Sequence, residues 1–174
     1  VFIIFVCIIA FTLYFLPGFV DKSMNPVTPH DDFKVSEKAK NLHNSLIIGD
    51  WHADTFLWNR DIKKIYSYGH VDIPRLNDGN VALQMFTTVT KSPSGQNYER
   101  NDSDAFDNIT LLAVIQLWPI KTWFSLKERA LFQAEKIKRL AKESPDSFFI
   151  INSKNDLSIF LERRYTNKKL VGAL

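Results

Sequence analysis

The sequence predicts an α/β fold built from parallel β/α units, with an apolar helix ahead of it. Short apolar runs bounded by turn-forming residues alternate with helical patterns from residue 45 to residue 174. Residues 1–20 contain no charged side chain. The composition of the 174 residues, 45% hydrophobic and 24% charged with 6 Gly and 7 Pro, is that of a folded domain. This composition excludes disordered and collagen-like chains.

Residues 1–20 are long and apolar enough to cross a membrane. At about 1.5 Å per residue, a helix of this length reaches roughly 30 Å. A cleaved signal peptide is one alternative, but residues 16–24 do not resemble a small-residue cleavage site. A buried core helix is another, but it would have a polar face, and only Thr12 and Tyr14 interrupt this run. We therefore predict an uncleaved transmembrane signal anchor.

An anchor of this kind predicts where the rest of the chain lies. We expect residues 21–174 to face the periplasm or the cell exterior. Residues 21–44, which include Pro26 and Pro29, are expected to form a juxtamembrane linker. Because the sequence begins with Val1 rather than Met, we expect further residues ahead of it, and these would hold the basic flank that sets orientation.

Strand and helix patterns follow one another along the rest of the chain. Apolar runs predict strands at 45–49, 81–89, 148–151 and 170–174. Helical patterns predict a short helix at 35–43, and then helices at 109–117, from a capping box at 125–128 to 144, and at 155–164. Periodicity predicts an inner face for the helix after the capping box: Leu126, Ala130, Ala134, Ile137 and Ala141. The polar stretch 90–107 predicts a long exposed loop.

Charge and cysteine content exclude several functions. Residues 121–174 carry twelve Lys and Arg against six Asp and Glu, spaced along helical patterns rather than clustered among aromatics. We interpret these charges as solvated helix faces and expect no nucleic-acid partner. The single cysteine, Cys7, lies in the apolar run, so residues 21–174 contain no thiol. The sequence has neither a Gly-rich phosphate loop nor a Gly-x-Ser-x-Gly elbow, the usual signs of nucleotide binding and serine hydrolysis.

The triplet His52-Ala-Asp54 directly follows the first predicted strand. In an extended backbone, residues i and i+2 point to the same face, so this imidazole and this carboxylate can converge. The carboxyl end of a parallel strand is also where β/α barrels assemble their active sites. A neutral imidazole and a carboxylate suit zinc or another divalent first-row ion. We therefore predict His52 and Asp54 as metal ligands. The alternative is a structural role, in which the histidine caps a turn or lies at the surface.

Two other polar groups suit structural roles better. In His70-Val-Asp72, the nearby Pro74 shapes a loop, and Asp72 is placed to cap a following turn. The acidic loop lacks the Gly-centred spacing of a calcium site, and we interpret its carboxylates as solvated: Glu99, Asp102, Asp104 and Asp107.

Two stretches taken together resemble a known family. The first stretch is Asp50-Trp-His52-Ala-Asp54-Thr55, and the second is His70-Val-Asp-Ile-Pro-Arg-Leu-Asn-Asp-Gly-Asn-Val-Ala-Leu-Gln84-Met-Phe86. Together they resemble the N-terminal third of the membrane dipeptidase (renal dipeptidase-type) metallopeptidases. The resemblance runs over about residues 46–174. It implies a (β/α)₈ barrel of the TIM type, with residues 45–174 as its first strands and helices. It also implies a two-zinc site that hydrolyses dipeptides, one zinc bound by the His-x-Asp pair that maps onto His52 and Asp54.

The resemblance further implies groups that this sequence does not contain. The bridging Glu of the family follows a later strand in a Glu-Gly context, and that strand corresponds to 170–174, where the chain ends. The remaining metal-binding His and a substrate-contacting His would come later still. We therefore expect an N-terminal fragment that supplies ligands for one zinc and does not hydrolyse dipeptides by itself. Its open sheet edge and uncovered apolar faces predict that it is marginally folded and prone to associate, with a homo-oligomer as one outcome.

Two other classes of function stay open from the sequence. One is an anchored, non-catalytic interaction module that uses the half-barrel as a surface. The other is a related amidohydrolase-type barrel that acts on another amide or on a lactone.

Overall fold

The computed structural model describes residues 2–174. The α-helices are α1 (Phe2–Met24), α2 (Glu37–Ser45), α3 (Ile73–Asp78), α4 (Asn108–Ile115), α5 (Leu126–Glu143) and α6 (Lys154–Thr166). The strands are β1 (Ile48–Ala53), β2 (Val81–Phe86), β3 (Phe148–Ile150) and β4 (Val171–Ala173). Two 3₁₀ turns lie at Thr55–Leu57 and Ile120–Trp123.

The strands form one parallel sheet in the order β1-β2-β4-β3, which confirms the predicted α/β class. Asp50 pairs with Gln84 between β1 and β2, and Leu83 pairs with Gly172 between β2 and β4. In a barrel of successive β/α units, consecutive strands are neighbours. Here β4 lies between β2 and β3, so the sheet by itself does not confirm the first part of a barrel.

The chain divides into two compact units. The sheet unit consists of Asn25–Thr55, Asp61–Thr87 and Ile137–Leu174, and it contains all four strands. The helical unit contains α1, Phe56–Arg60 and Thr88–Lys136, and so includes α4.

In the sheet unit, α6 packs closely against β4. Ala82, Phe160 and Leu170 form a buried cluster beneath this helix. A Cβ atom on Gly172 would lie 2.8 Å from Ile151 Cδ1 and 3.0 Å from Phe160 Cε2, so a larger side chain has no room there. Glycine therefore allows the close approach of helix and strand. The buried Arg164 of α6 donates hydrogen bonds to the Leu170 carbonyl and to Asn80 Oδ1, at the starts of β4 and β2.

In the helical unit, α4 supplies much of the core. Ile109, Leu112 and Ala113 pack with Leu57, Trp58 and Trp118, and Val20 of α1 packs against the same cluster. Asp21, one residue later, forms an ion pair with Arg60 whose N–O distance is 3.3 Å, and both side chains are buried. The last turn of α1 is therefore joined to this core rather than separated from it by a flexible segment.

Helix α1 is long and apolar enough to span a membrane, as residues 1–20 predict. It runs past the predicted end at Val20 to Met24, through Pro17. Part of the predicted 21–44 linker is ordered by contacts, because Gly69 N–H donates to the Asn25 carbonyl and Pro26 forms an isolated bridge with Tyr68.

Candidate metal site

The two predicted ligands meet at the carboxyl end of β1, within the sheet unit. His52 is the next-to-last residue of β1, and Asp54 directly follows the strand. His52 Nε2 lies 3.3 Å from Asp54 Oδ2. The predicted convergence of these side chains is therefore confirmed. The predicted strand at 45–49 was misplaced, since Ser45 ends α2 and β1 extends through the polar residues to Ala53.

Parallel pairing explains why β1 continues into polar sequence. The Thr87 N–H donates to the Ala53 carbonyl over 3.0 Å, and Asp50 and Ala53 are in register with Gln84 and Phe86. The register shifts between these two positions, where three steps along β1 match two along β2, so backbone pairing holds β1 on either side of an irregularity at Trp51 and His52. The side chains of His52 and Asp54 still approach each other, with Nε2 and Oδ2 3.3 Å apart.

Asp54 is held in place by Thr87. The Thr87 hydroxyl donates a short hydrogen bond to Asp54 Oδ1, which leaves Oδ2 facing His52. Thr87 follows β2 directly, at the same edge of the sheet. No pattern within the sequence singled out Thr87. A hydroxyl immediately after the strand beside β1 is the signal that would have found it.

Polar side chains also hydrogen-bond the backbone of β1 next to the pair. The His52 N–H donates to Asp50 Oδ1 over 3.2 Å. The fully buried Gln84 side chain donates to the carbonyls of Asp50 and Met85, over 3.4 and 3.2 Å. Gln84 Oε1 has no hydrogen-bond partner within residues 2–174. Gln84 thus holds the backbone of β1 at Asp50, two residues before His52.

The separation of the two donor atoms fits a small divalent cation. Zinc bonds to imidazole nitrogen and carboxylate oxygen are about 2.0–2.2 Å long, so two ligands of a tetrahedral ion lie about 3.3–3.5 Å apart. The observed Nε2–Oδ2 distance, 3.3 Å, is that of a hydrogen bond between the two side chains, and it is also compatible with the separation of two ligands of one ion. The His52 side chain is 71% exposed and that of Asp54 37%, so both atoms are reachable from solvent. The pair can therefore offer two adjacent ligands to one ion.

A complete protein ligand set is not present in the described part of the chain. No group of three or more His, Cys, Asp or Glu side chains is positioned to hold a metal within residues 2–174. Zinc sites ordinarily take three or four ligands from protein. Among the described residues, His52 and Asp54 therefore offer two adjacent candidate ligands, fewer than a zinc site ordinarily takes.

The second His-x-Asp triplet has a structural role at Asp72, as predicted. Asp72 is the N-cap of α3: its side chain accepts from the Arg75 N–H over 2.9 Å and from the Arg75 guanidinium in a short ion pair. Asp72 is buried and His70 is exposed. The short helix α3, with Pro74 in its first turn, stands where the sequence suggested only a loop.

The interpretation of the acidic loop was wrong for Asp107. Its carboxylate caps α4, accepts from the amides of Ser92 and Ile109 over 3.0 Å each, and forms a short ion pair with the buried Arg129. Burial by itself would raise the pKa of Asp107. The hydrogen bond from Arg129, the two amides and the Arg129 charge outweigh burial and hold the pKa below its ordinary value.

Comparison with known protein families and characterised proteins adds one finding. Neither the family models nor the curated proteins match this chain. The geometry of the site and the motifs of the sequence are therefore the grounds for a function.

Proposed function

We propose that this chain carries the first metal ligands of a membrane-anchored, zinc-dependent dipeptidase. The observation that carries the proposal is the 3.3 Å separation of His52 Nε2 and Asp54 Oδ2 at the carboxyl end of a parallel strand. Two donor types preferred by zinc are thus adjacent, exposed and on one face. The resemblance of the two motifs to the membrane dipeptidases supplies the reaction class, and it extends the parallel sheet to the first part of a (β/α)₈ barrel.

Each residue of the site has a separate task. His52 supplies a neutral imidazole nitrogen and Asp54 supplies one carboxylate oxygen. Thr87 is a positioning residue. By donating to Asp54 Oδ1, it orients the carboxylate so that Oδ2 is available to the metal ion. In an intact site of this class, two zinc ions would lower the pKa of a water and polarise the peptide carbonyl. The described residues provide ligands for one of them.

Zinc retention by the full chain in detergent micelles tests the proposal. After equilibrium dialysis against buffer of fixed free zinc, elemental analysis should find up to about one zinc per wild-type chain and markedly less in His52→Ala and Asp54→Ala. His70→Ala removes an exposed histidine of the same unit and should retain wild-type zinc. Thr87→Ala should lower zinc affinity by about 10–100-fold, as loss of an orienting partner does. Equal zinc in the wild type and His52→Ala would refute the assignment.

Assays of turnover separate the other functions that the sequence left open. We expect no dipeptide hydrolysis by this chain by itself, because the described residues offer only two ligands. Paired zinc or clear dipeptide turnover would contradict that expectation. Turnover of a lactone or a non-peptide amide would favour the related amidohydrolase. Failure of the wild type to retain zinc would favour the non-catalytic module.

A further inference from the structure

A cavity of about 210 Å³ lies at the amino end of the parallel sheet, within the sheet unit. Its walls include residues that precede β1 and β2, the last turn of α6 and the segment that leads from α6 to β4: Leu46, Ile47, Asn80, Arg164, Tyr165 and Lys168. His52 and Asp54 lie at the opposite, carboxyl end of the sheet. The cavity is therefore separate from the candidate metal site.

The guanidinium of Arg164 is buried at this cavity without a carboxylate partner. Arg164 is only 5% exposed. Two of its five N–H groups donate hydrogen bonds, to the Leu170 carbonyl and to Asn80 Oδ1, so three have no acceptor within residues 2–174. Burial lowers the pKa of Arg164 from its ordinary value, and no acidic side chain of the described chain offsets this effect. Because a guanidinium stays protonated in proteins, a full positive charge is buried here.

Lys168 adds a second positive charge to the same cavity. Its Nζ lies 5.9 Å from the centre of the Tyr165 ring, which belongs to a residue that is 82% exposed. No Asp or Glu among residues 2–174 lines the cavity. Arg164 and Lys168 therefore give the cavity two cations and no anion among the residues that the structure describes.

The ends of two helices beside the cavity do not balance these charges. The carboxyl end of a helix carries about half a negative charge on its unpaired carbonyls. At the end of α2, the His43 carbonyl accepts from the Leu46 N–H and from the Asn80 amide, over 3.2 and 2.8 Å. At the end of α6, the Arg163 carbonyl accepts from the Asn167 N–H over 2.9 Å. Neutral donors thus cap both ends, and the two full side-chain charges exceed the partial charges that remain.

We propose that this cavity binds a phosphate group through Arg164 and Lys168. Two cations match a phosphate monoester, whose charge is about −1.5 to −2 at pH 7, whereas one cation is enough to neutralise a carboxylate. The N–H groups of a guanidinium form a planar fork that suits phosphate oxygens, and a lysine contributes a compact point charge. The phosphate arrives either as the free ion or in a small ester, whose organic part would contact Leu46, Ile47 and Tyr165. This inference is independent of zinc binding and of hydrolysis.

Calorimetric titration of the full chain in dodecyl maltoside micelles tests this site. The titrants are inorganic phosphate, phenyl phosphate and acetate, at constant ionic strength and in buffers freed of metal by a chelating resin. The variants are Lys168→Ala and Arg164→Gln. The matched control is Lys169→Ala, which removes the next lysine of the chain, an exposed residue that does not line the cavity. Circular dichroism checks that each variant is folded, because Arg164 is buried.

The expected results separate the two cations from their neighbour. Wild type and Lys169→Ala should bind at least one of the two phosphates equally well, at one site per chain. Binding should weaken by about fivefold to tenfold in Lys168→Ala and by more than about tenfold in Arg164→Gln. Tighter binding of phenyl phosphate would assign a phosphate ester, and tighter binding of inorganic phosphate the free ion.

Three outcomes would overturn the proposal. The first is that the wild type binds neither phosphate. The second is that Lys168→Ala binds phosphate as tightly as Lys169→Ala does, a comparison that stays decisive even where Arg164→Gln does not fold. The third is that acetate binds as tightly as phosphate, because the cavity would then not select a doubly charged anion.

Discussion

Arg129 and Asp107 form a buried ion pair that joins four segments of the helical unit. The Arg129 side chain is 2% exposed and that of Asp107 16%. Besides Asp107, the guanidinium donates to the carbonyls of Thr90, Thr122 and Trp123, over 2.6, 2.7 and 3.0 Å. It also donates to the Thr110 hydroxyl over 2.7 Å. One side chain thus connects the start of the polar loop, α4, the Ile120–Trp123 turn and α5.

Substitution of Asp107 is expected to destabilise the protein strongly. Asp107→Asn keeps the size of the side chain but leaves the Arg129 charge buried without a counter-charge. Removal of one partner from a buried pair costs about 3–5 kcal/mol. Urea unfolding of the full chain in micelles, followed by circular dichroism, measures the change. The control is Asp102→Asn in the same loop, where the ion pair with Arg100 is exposed and the expected change is below about 1 kcal/mol. Similar losses for both variants would contradict the assigned role.

The same pair predicts how stability depends on pH. The pKa of Asp107 lies below its ordinary value of 3.8 in the folded state, so folding favours the ionised carboxylate. Its contribution is therefore complete above the unfolded pKa, about 3.9, and is lost as the pH falls through the folded pKa. The free energy of unfolding of the wild type should fall more steeply than that of Asp107→Asn from about pH 5 to pH 2. Parallel curves for the two proteins would show that Asp107 does not carry this dependence.

Substitution of Leu117 by glycine is expected to stabilise the helical unit. Glycine adopts positive φ without the Cβ clash that costs other residues about 1–2 kcal/mol, so the free energy of unfolding should rise by about 1 kcal/mol. The matched control is Leu111→Gly, an exposed leucine inside α4, which should lose about 1 kcal/mol. Thermal or urea unfolding of both variants distinguishes the two. A loss of stability in Leu117→Gly would show that the leucine side chain contributes more to packing than its backbone costs.

Protease accessibility tests the membrane topology. If α1 spans the membrane as an uncleaved anchor, residues 21–174 lie in the periplasm or outside the cell. Proteinase K added to spheroplasts or intact cells should then degrade the folded part, while a cytoplasmic marker protein stays whole. Protection of the chain until detergent is added would place it on the cytoplasmic side. N-terminal sequencing of the purified protein reports separately whether the apolar run is cleaved.

Local sequence signals were sufficient wherever neighbours along the chain decide the structure. Half of the predicted capping box at Ser125 is confirmed, since the Glu128 N–H donates to Ser125 Oγ over 3.3 Å and α5 runs from Leu126 to Glu143, whereas the Glu128 carboxylate forms an ion pair with Lys121. Periodicity also placed α6, and the length and apolarity of residues 1–20 predicted α1. These features depend on hydrogen bonds and side-chain spacing within one helix.

The buried side of α5 shows where periodicity of apolar residues fails. The predicted inner face is only partly buried, and Leu126 is exposed. The buried residues of α5 are instead Arg129, Gln133 and Leu140. Gln133 bonds the Val89 backbone through both ends of its amide, at 3.2 and 3.0 Å. A polar side chain can be buried when every donor has a partner, and such partners come from distant segments that no local pattern reveals.

The candidate site likewise combines features that the sequence predicts with features that only the tertiary structure decides. The i, i+2 spacing of His52 and Asp54 behind an apolar run was enough to predict that the two side chains converge, because side-chain direction along an extended backbone has a period of two. The tertiary structure decided the rest. Pairing with β2 extended β1 through Ala53, placed Thr87 on Asp54, and put β4 between β2 and β3. Strand order and hydrogen bonds between strands join residues far apart in the chain, so they depend on the whole packed unit rather than on any one segment.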